Sequence, residues 1–373
     1  MPRRRPPEPG RTTLGSPLVI LPAQMIGNYL LLEAKWDRNG PYRFLIDTGS
    51  SVTLVTPALA KRYPGREPFA PAATRVRVTG ADGSVSELPR GSLRRIELGE
   101  AKFEDVEVLV YDCAALSAHL GVKIDGVLGF PLFRETVLTL DYPGARVILQ
   151  AASDRPLLPG SVVSFDDARK TPVIPVRIAD RTVLALIDSG SDAVFSLNPV
   201  GLEPRFSAGP TEGGTVGTLG GQRTRRVGRL AGTLAIGAHT VHEPMVDLSD
   251  ELSAVGGGLL RYFSVSFDQK RDRVTFFRDE RTPIRSPALR SLGVSFSKTP
   301  AYWRVSAFVP NSPAAAAGVQ TGDLVTRING EPVAKWDLRR YEQLVATASD
   351  VVLSFLNGTA ETEKRVGVFD LVP

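Results

Sequence analysis

Two segments of this chain each end a short apolar run with an aspartate: Phe44-Leu-Ile-Asp-Thr-Gly-Ser50 and Ala185-Leu-Ile-Asp-Ser-Gly-Ser191. Two carboxyls brought close together cannot both ionise easily, so they share a proton and titrate as a pair. The ionised member can take a proton from a bound water, which attacks a carbonyl carbon. The protonated member donates to the carbonyl oxygen, and the roles reverse as the leaving group departs. Asp47 and Asp188 are the candidates for such a pair. Their neighbours have matching uses: Gly49 and Gly190 carry no side chain and let two loops approach closely. Thr48 and Ser189 offer hydroxyls to the opposite loop's backbone, while Ser50 and Ser191 can hold the outer carboxylate oxygens.

One triplet of this kind is weak, since Asp-Gly turns are common wherever strands reverse. The context adds weight, because the chain repeats itself. Ile96-Glu-Leu-Gly99 returns as Leu234-Ala-Ile-Gly237, the run 106–112 returns as 244–250, and Leu140-Asp141 returns as Phe267-Asp268. The order of pieces is kept while the spacing drifts by loop-sized steps, as expected of one β unit duplicated and fused. Strand-like alternation such as 29–34 and 74–78, followed by the hairpin signal Gly80-Ala-Asp-Gly83, fills each copy. Each Asp triplet occupies the same place in its copy.

Composition narrows the function classes. With 373 residues, 42% of them hydrophobic and 23% charged, the chain can build more than one core. Its Gly and Pro content favours a turn-rich β protein. The single cysteine, Cys113, excludes an internal disulfide and a Cys-based zinc site. Three histidines, His119, His239 and His242, without a metal-ligand helix motif point to no metal and no cofactor. Basic clusters at 3–5 and at Arg223, Arg225, Arg226 and Arg229 lack interleaved aromatics, so nucleic acid is not expected as a partner. No apolar stretch is long enough to span a bilayer, and the Pro- and Arg-rich start reads as a tail rather than a signal peptide. The default expectation is a cytoplasmic chain; a start lying further upstream would make it extracytoplasmic.

On the two Asp-[Thr/Ser]-Gly triplets and the repeat, residues 17–280 resemble the aspartic peptidases, especially the bacterial retropepsin-like proteins with both lobes in one chain. That family carries a later hydrophobic-hydrophobic-Gly element beneath each catalytic loop. It is matched by Val127-Leu128-Gly129 and, more loosely, by Ala254-Val255-Gly256. The resemblance implies a mainly β, two-lobed acid-protease barrel fold. It also implies a flap hairpin in each lobe, at Gly80, Ala81, Asp82 and Gly83 and at Leu219, Gly220, Gly221 and Gln222. Neither flap tip has the tyrosine of pepsin-like enzymes, and Asp192 directly follows the second triplet's Ser.

Residues 289–373 have a different texture. A Ser-capped turn of helix with Pro at its start and Gly at its end, Asn311-Ser-Pro-Ala-Ala-Ala-Ala-Gly-Val319, precedes Gly322-Asp-Leu-Val-Thr-Arg-Ile-Asn-Gly330. A helix over 337–348 follows, with Leu338, Tyr341, Leu344 and Val345 on one face. These runs resemble a small α+β PDZ domain of the bacterial type. Such a domain implies addition of an extended peptide between an edge strand and a helix. The groove would use Leu292, Gly293, Val294, Ser295 and Phe296 with Leu338 and Tyr341, and the amides near 292–294 would receive a peptide C-terminus.

The expected organisation is a disordered tail (1–16), a first protease lobe (17–152), a second (153–280), a linker (281–288) and the PDZ domain (289–373). The expected activity is endoproteolysis of polypeptides by a monomer, with the PDZ domain docking peptides or regulating access. The alternative is a catalytically inactive protease-like protein that binds peptides.

Overall fold

The computed structural model describes residues 10–36, 39–65, 74–80, 83–152, 159–218, 221–281 and 283–373. Sequence pattern decides where each strand lies. Leu18–Pro22 alternates exposed and buried positions, as a strand with one wet face must. Gly126–Gly129 and Thr136–Asp141 are buried on both faces and run through the interior. The chain is mainly β, with a PDZ domain at its C-terminal end.

Each half of residues 10–281 builds a nine-stranded sheet, and the central strands of both sheets follow the same order. In the first half that order is Thr53–Val55, Gly126–Gly129, Asn39–Asp47, Tyr29–Trp36. In the second it is Phe195–Leu197, Ser253–Gly256, Arg181–Asp188, Val173–Ile178. A third, six-stranded sheet takes three strands from each half. At its middle, Thr136–Asp141 pairs antiparallel with Ser264–Asp268, setting Thr139 opposite Ser266. Their buried hydroxyls meet at 2.8 Å. The flanking ion pairs Arg146–Asp141 and Arg273–Asp268 occupy equivalent places. One apolar core runs through both halves and includes Phe44, Leu128, Phe130, Ile187, Val255 and Phe267.

The tail expectation fails in part. Arg11–Leu14 forms a strand paired with residues 101–104, because its alternating pattern fits the open edge of that sheet. Residues 1–9 lie outside the described residues.

In the C-terminal domain, Val294–Lys298 is the outermost strand of the main sheet and pairs with Trp303–Phe308. The helix Leu338–Thr347 is capped by Asp337, whose Oδ1 accepts from the Arg340 amide at 2.8 Å. Its Tyr341, Leu344 and Val345 pack on the domain's own core, around Trp303 and Phe296. Leu338 does not. It is buried among Ile26, Tyr29, Leu120 and Ile124 of the first half.

Candidate active site

Asp47 and Asp188 end the strands Asn39–Asp47 and Arg181–Asp188, each at the heart of its sheet. Beneath Asp47 the strand Gly126–Gly129 runs parallel, with Gly129 beside Asp47. Beneath Asp188 the strand Ser253–Gly256 does the same, with Gly256 beside Asp188. Both glycines are sterically required, since an added Cβ would fall 2.2 Å from Val52 O in one case and 2.4 Å from Ala193 O in the other. The looser second motif is thus geometrically as tight as the first.

The two loops interlock through reciprocal hydrogen bonds. The Thr48 amide donates to Ser189 Oγ at 2.9 Å, and the Ser189 amide to Thr48 Oγ1 at 3.0 Å. Thr48 Oγ1 donates in turn to Ile187 O at 2.7 Å, and Ser189 Oγ to Ile46 O at 2.9 Å. Both side chains are fully buried, so every polar atom of this knot is satisfied inside the protein. Gly49 and Gly190 lie over the opposite carboxyls: a Cβ at Gly49 would stand 2.5 Å from Asp188 Oδ1, and one at Gly190 2.4 Å from Asp47 Cγ. Only glycine lets the loops cross this closely.

The two carboxyls lie close enough for each to shift the other's titration. Burial, then the charge of Asp188, pushes the Asp47 carboxyl well above the usual range. Asp188 is also raised by burial, while the Gly190 amide at 2.9 Å and then the approach of Asp47 favour its charged form. The pair therefore retains a shared proton. Asp47 Oδ1 is buried without a hydrogen-bond partner among the described residues. Ser50 and Ser191 do not hold the carboxylates. Ser50 Oγ donates to Val52 O at 2.8 Å, and Ser191 Oγ accepts from the Ala193 amide at 3.3 Å. Each closes its own turn.

The dyad opens into a cleft of about 520 Å³ between the halves. Thr79 and Gly80 from the first hairpin line it, and Gly83 reaches Glu251 of the second half, where a Cβ would be 2.8 Å from Oε1. Ala81 and Asp82 lie outside the described residues. The second hairpin behaves differently. Leu219 and Gly220 are also outside the described residues, and among the described side chains none of the arms Phe206–Thr218 and Gly221–Leu230 lines the cleft. They lie against the PDZ domain, where a Cβ at Gly214 would stand 2.7 Å from Ser295 Oγ. Arg225 pairs with Asp247 at 2.9 Å, and Arg229 donates to the carbonyls of Ser286, Pro287 and Pro373. The guanidiniums of Arg225 and Arg229 thus bind inside the chain. A cavity of about 620 Å³ beside the central sheet holds Asp141, already paired with Arg146, and contains no dyad.

Sequence reasoning missed several cleft residues. His119 and Leu116, on the helix Ala114–Leu120, line one wall, with Tyr29 beside them. The His119 ring meets Tyr29 edge-on at 6.2 Å, and its Nε2 is buried without a partner among the described residues. Burial lowers its pKa, and the charges of Lys298 and Arg225 add to that. No local pattern signals this wall, because its parts come from distant stretches.

Residues 32–132 match the family model described as aspartyl protease, and residues 304–356 match that of a PDZ domain. Among solved structures, the chain is similar to the HtrA3 PDZ domain bound to a phage-derived ligand (FGRWV). That likeness is 22% identical and covers 22% of this chain and 88% of that one, with a TM-score of 0.20. No curated protein gives a match. Among the described residues no helix is long and apolar enough to cross a membrane. The chain thus joins an aspartyl protease-like domain to a C-terminal PDZ domain.

Proposed function

We propose that the protein is an aspartic endopeptidase, hydrolysing peptide bonds with water activated between Asp47 and Asp188. The observation that carries the reading is the pair of carboxyls at equivalent strand ends, each beneath the other loop's glycine and locked by the Thr48–Ser189 knot. The Asp188 carboxylate accepts a proton from water as the water oxygen bonds to the peptide carbonyl carbon. The Asp47 carboxyl gives its proton to the carbonyl oxygen, forming a neutral diol. Asp188 then gives its proton to the amide nitrogen while Asp47 takes one from a diol hydroxyl; the C–N bond breaks, leaving a carboxylic acid and an amine, and the dyad is restored. The knot fixes both carboxyls before substrate arrives, so little reorganisation accompanies reaction. The substrate is an extended polypeptide lying beneath the first hairpin. The PDZ domain supplies a second peptide-binding element.

Asp47→Asn and Asp188→Asn, each alone, should abolish cleavage of an unfolded protein at mildly acidic pH while the fold persists. Retained cleavage in either variant would end the reading. A wild-type chain that binds a statine-containing peptide but cleaves nothing from acidic to neutral pH would favour a peptide-binding protein instead.

A further inference from the structure

The PDZ domain does not hang free of the cleft. Lys298, last residue of the outer strand Val294–Lys298, is only 6% exposed, and its ammonium donates to His119 O at 2.7 Å. That carbonyl belongs to the last turn of the helix Ala114–Leu120, where no further helical amide can satisfy it. A buried cation at a helix C-terminus also complements the helix dipole. Gly121, which ends this helix, packs against the same residue, since a Cβ there would lie 3.2 Å from Lys298 Cδ. Leu338 fills the gap beside Ile26, Tyr29 and Leu120, and Glu342 reaches the turn at Gly27. Lys298 is steadied from its own side by the Trp303 ring at 5.4 Å.

We propose that the PDZ domain is a positioning element of the substrate cleft. Docked through Lys298 and Leu338, it holds the helix Ala114–Leu120 so that Leu116 and His119 form one wall of the site. This rests on the endopeptidase reading for its substrate, though not for the docking itself. Lys298 and Leu338 touch neither carboxyl, so they act through the wall: they govern how well an extended substrate is held, not the proton transfers. The dyad and its knot are built wholly from residues 46–50 and 187–191 and do not depend on the PDZ domain. The docking also has a cost for the PDZ domain. The helix Ala114–Leu120 stands against the outer strand along which a peptide would add, so groove occupancy and the cleft wall compete for one position.

The full chain tests this with Leu338→Glu and Lys298→Met. Each should raise KM for a peptide substrate about ten-fold while kcat stays within about two-fold, the pattern of lost binding rather than lost chemistry. Combining Lys298→Met with Leu338→Glu should be no worse than Leu338→Glu alone, since both act through the same docked helix. A fall in kcat at constant KM, or fully additive effects, would overturn the proposal. Leu338 lies outside the PDZ core, so its variant keeps that domain folded. Amide hydrogen exchange over residues 114–121 supplies a readout independent of turnover. It should speed up in Leu338→Glu while residues 46–50 and 187–191 are unchanged. Unaltered exchange in the helix would overturn the proposal in an active chain. A chain that cleaves nothing yet shows the faster exchange would refute the endopeptidase reading and support the docking.

Discussion

Asp47 and Asp188 hold protons longer than a solvated aspartate does, because burial penalises their charged forms. The sign of the consequence follows from proton counting. Above the ordinary value of 3.8 the unfolded chain has released protons that the folded dyad retains, so the dyad lowers stability as pH rises. Asp47→Asn removes that cost. Its melting temperature should exceed that of the wild type near neutral pH, and the gap should close toward about pH 3; a gap that widens on acidification would contradict the assignment. Activity needs one proton on the pair. The raised Asp47 pKa therefore moves the alkaline limb of the rate profile upward, toward neutrality. Gly190→Ala belongs to this scale too. With 2.4 Å between its Cβ and Asp47 Cγ, it should cost at least about 100-fold in kcat/KM, because small misplacements at a reacting centre are that expensive.

Among the elements, the two strands beneath the dyad decide whether the second half is a working copy or a remnant. Ala254-Val255-Gly256 departs from Val127-Leu128-Gly129 in side-chain size, yet the register beside each aspartate is the same. The clash a Cβ would make is the same within 0.2 Å, at 2.2 Å and 2.4 Å. Gly129→Ala and Gly256→Ala should therefore destabilise alike, by about 1–3 kcal/mol each, the range for overpacking a tight interior. Urea midpoints compare them directly, and a harmless Gly256→Ala would mark the second half as slack. The hairpins break the symmetry that these strands keep. The first reaches across the cleft to Glu251, while the second lies along the PDZ domain.

Across the whole molecule, Arg229 ties the linker and the C-terminal residue to the second half, and Leu338 and Lys298 tie the PDZ domain to the first. Burying one leucine contributes about 1.5–3 kcal/mol, comparable with a single charged hydrogen bond. Docking of this size can be opened by a ligand. Leu338→Glu should consequently bind peptides from a C-terminal library more tightly than the wild type, as read by fluorescence anisotropy. Equal affinity would mean that the outer strand is already free. The buried groups at the junction set a pH window for the same contact. Burial pushes Lys298 down to about 8 and Glu342 up to about 7. Between about pH 8 and the ordinary lysine value of 10.5 an undocked Lys298 keeps a proton that the docked one has released, so docking should tighten as pH rises through that range, whereas Glu342, held protonated up to about 7, should loosen it as pH rises from 4.5.

Local sequence determined a good deal. The two triplets, the order of the repeated strands and the turn chemistry of the C-terminal domain are written in contiguous residues, where chain geometry leaves few choices. The place of Asp188 was legible because duplication carried its surroundings along. What only the tertiary structure decided are the meetings of distant segments. Ser50 and Ser191 hydrogen-bond within their own turns. Arg11–Leu14 left the tail for a sheet edge. Leu338, on an apolar helix face that sequence assigned to the peptide groove, was taken by the core of the first half. The cleft wall joins positions 29 and 119, with Lys298 behind it on the His119 carbonyl, and no periodicity links them. Burial, charge and contact between such residues depend on the packing of whole sheets, and a linear pattern carries no record of it.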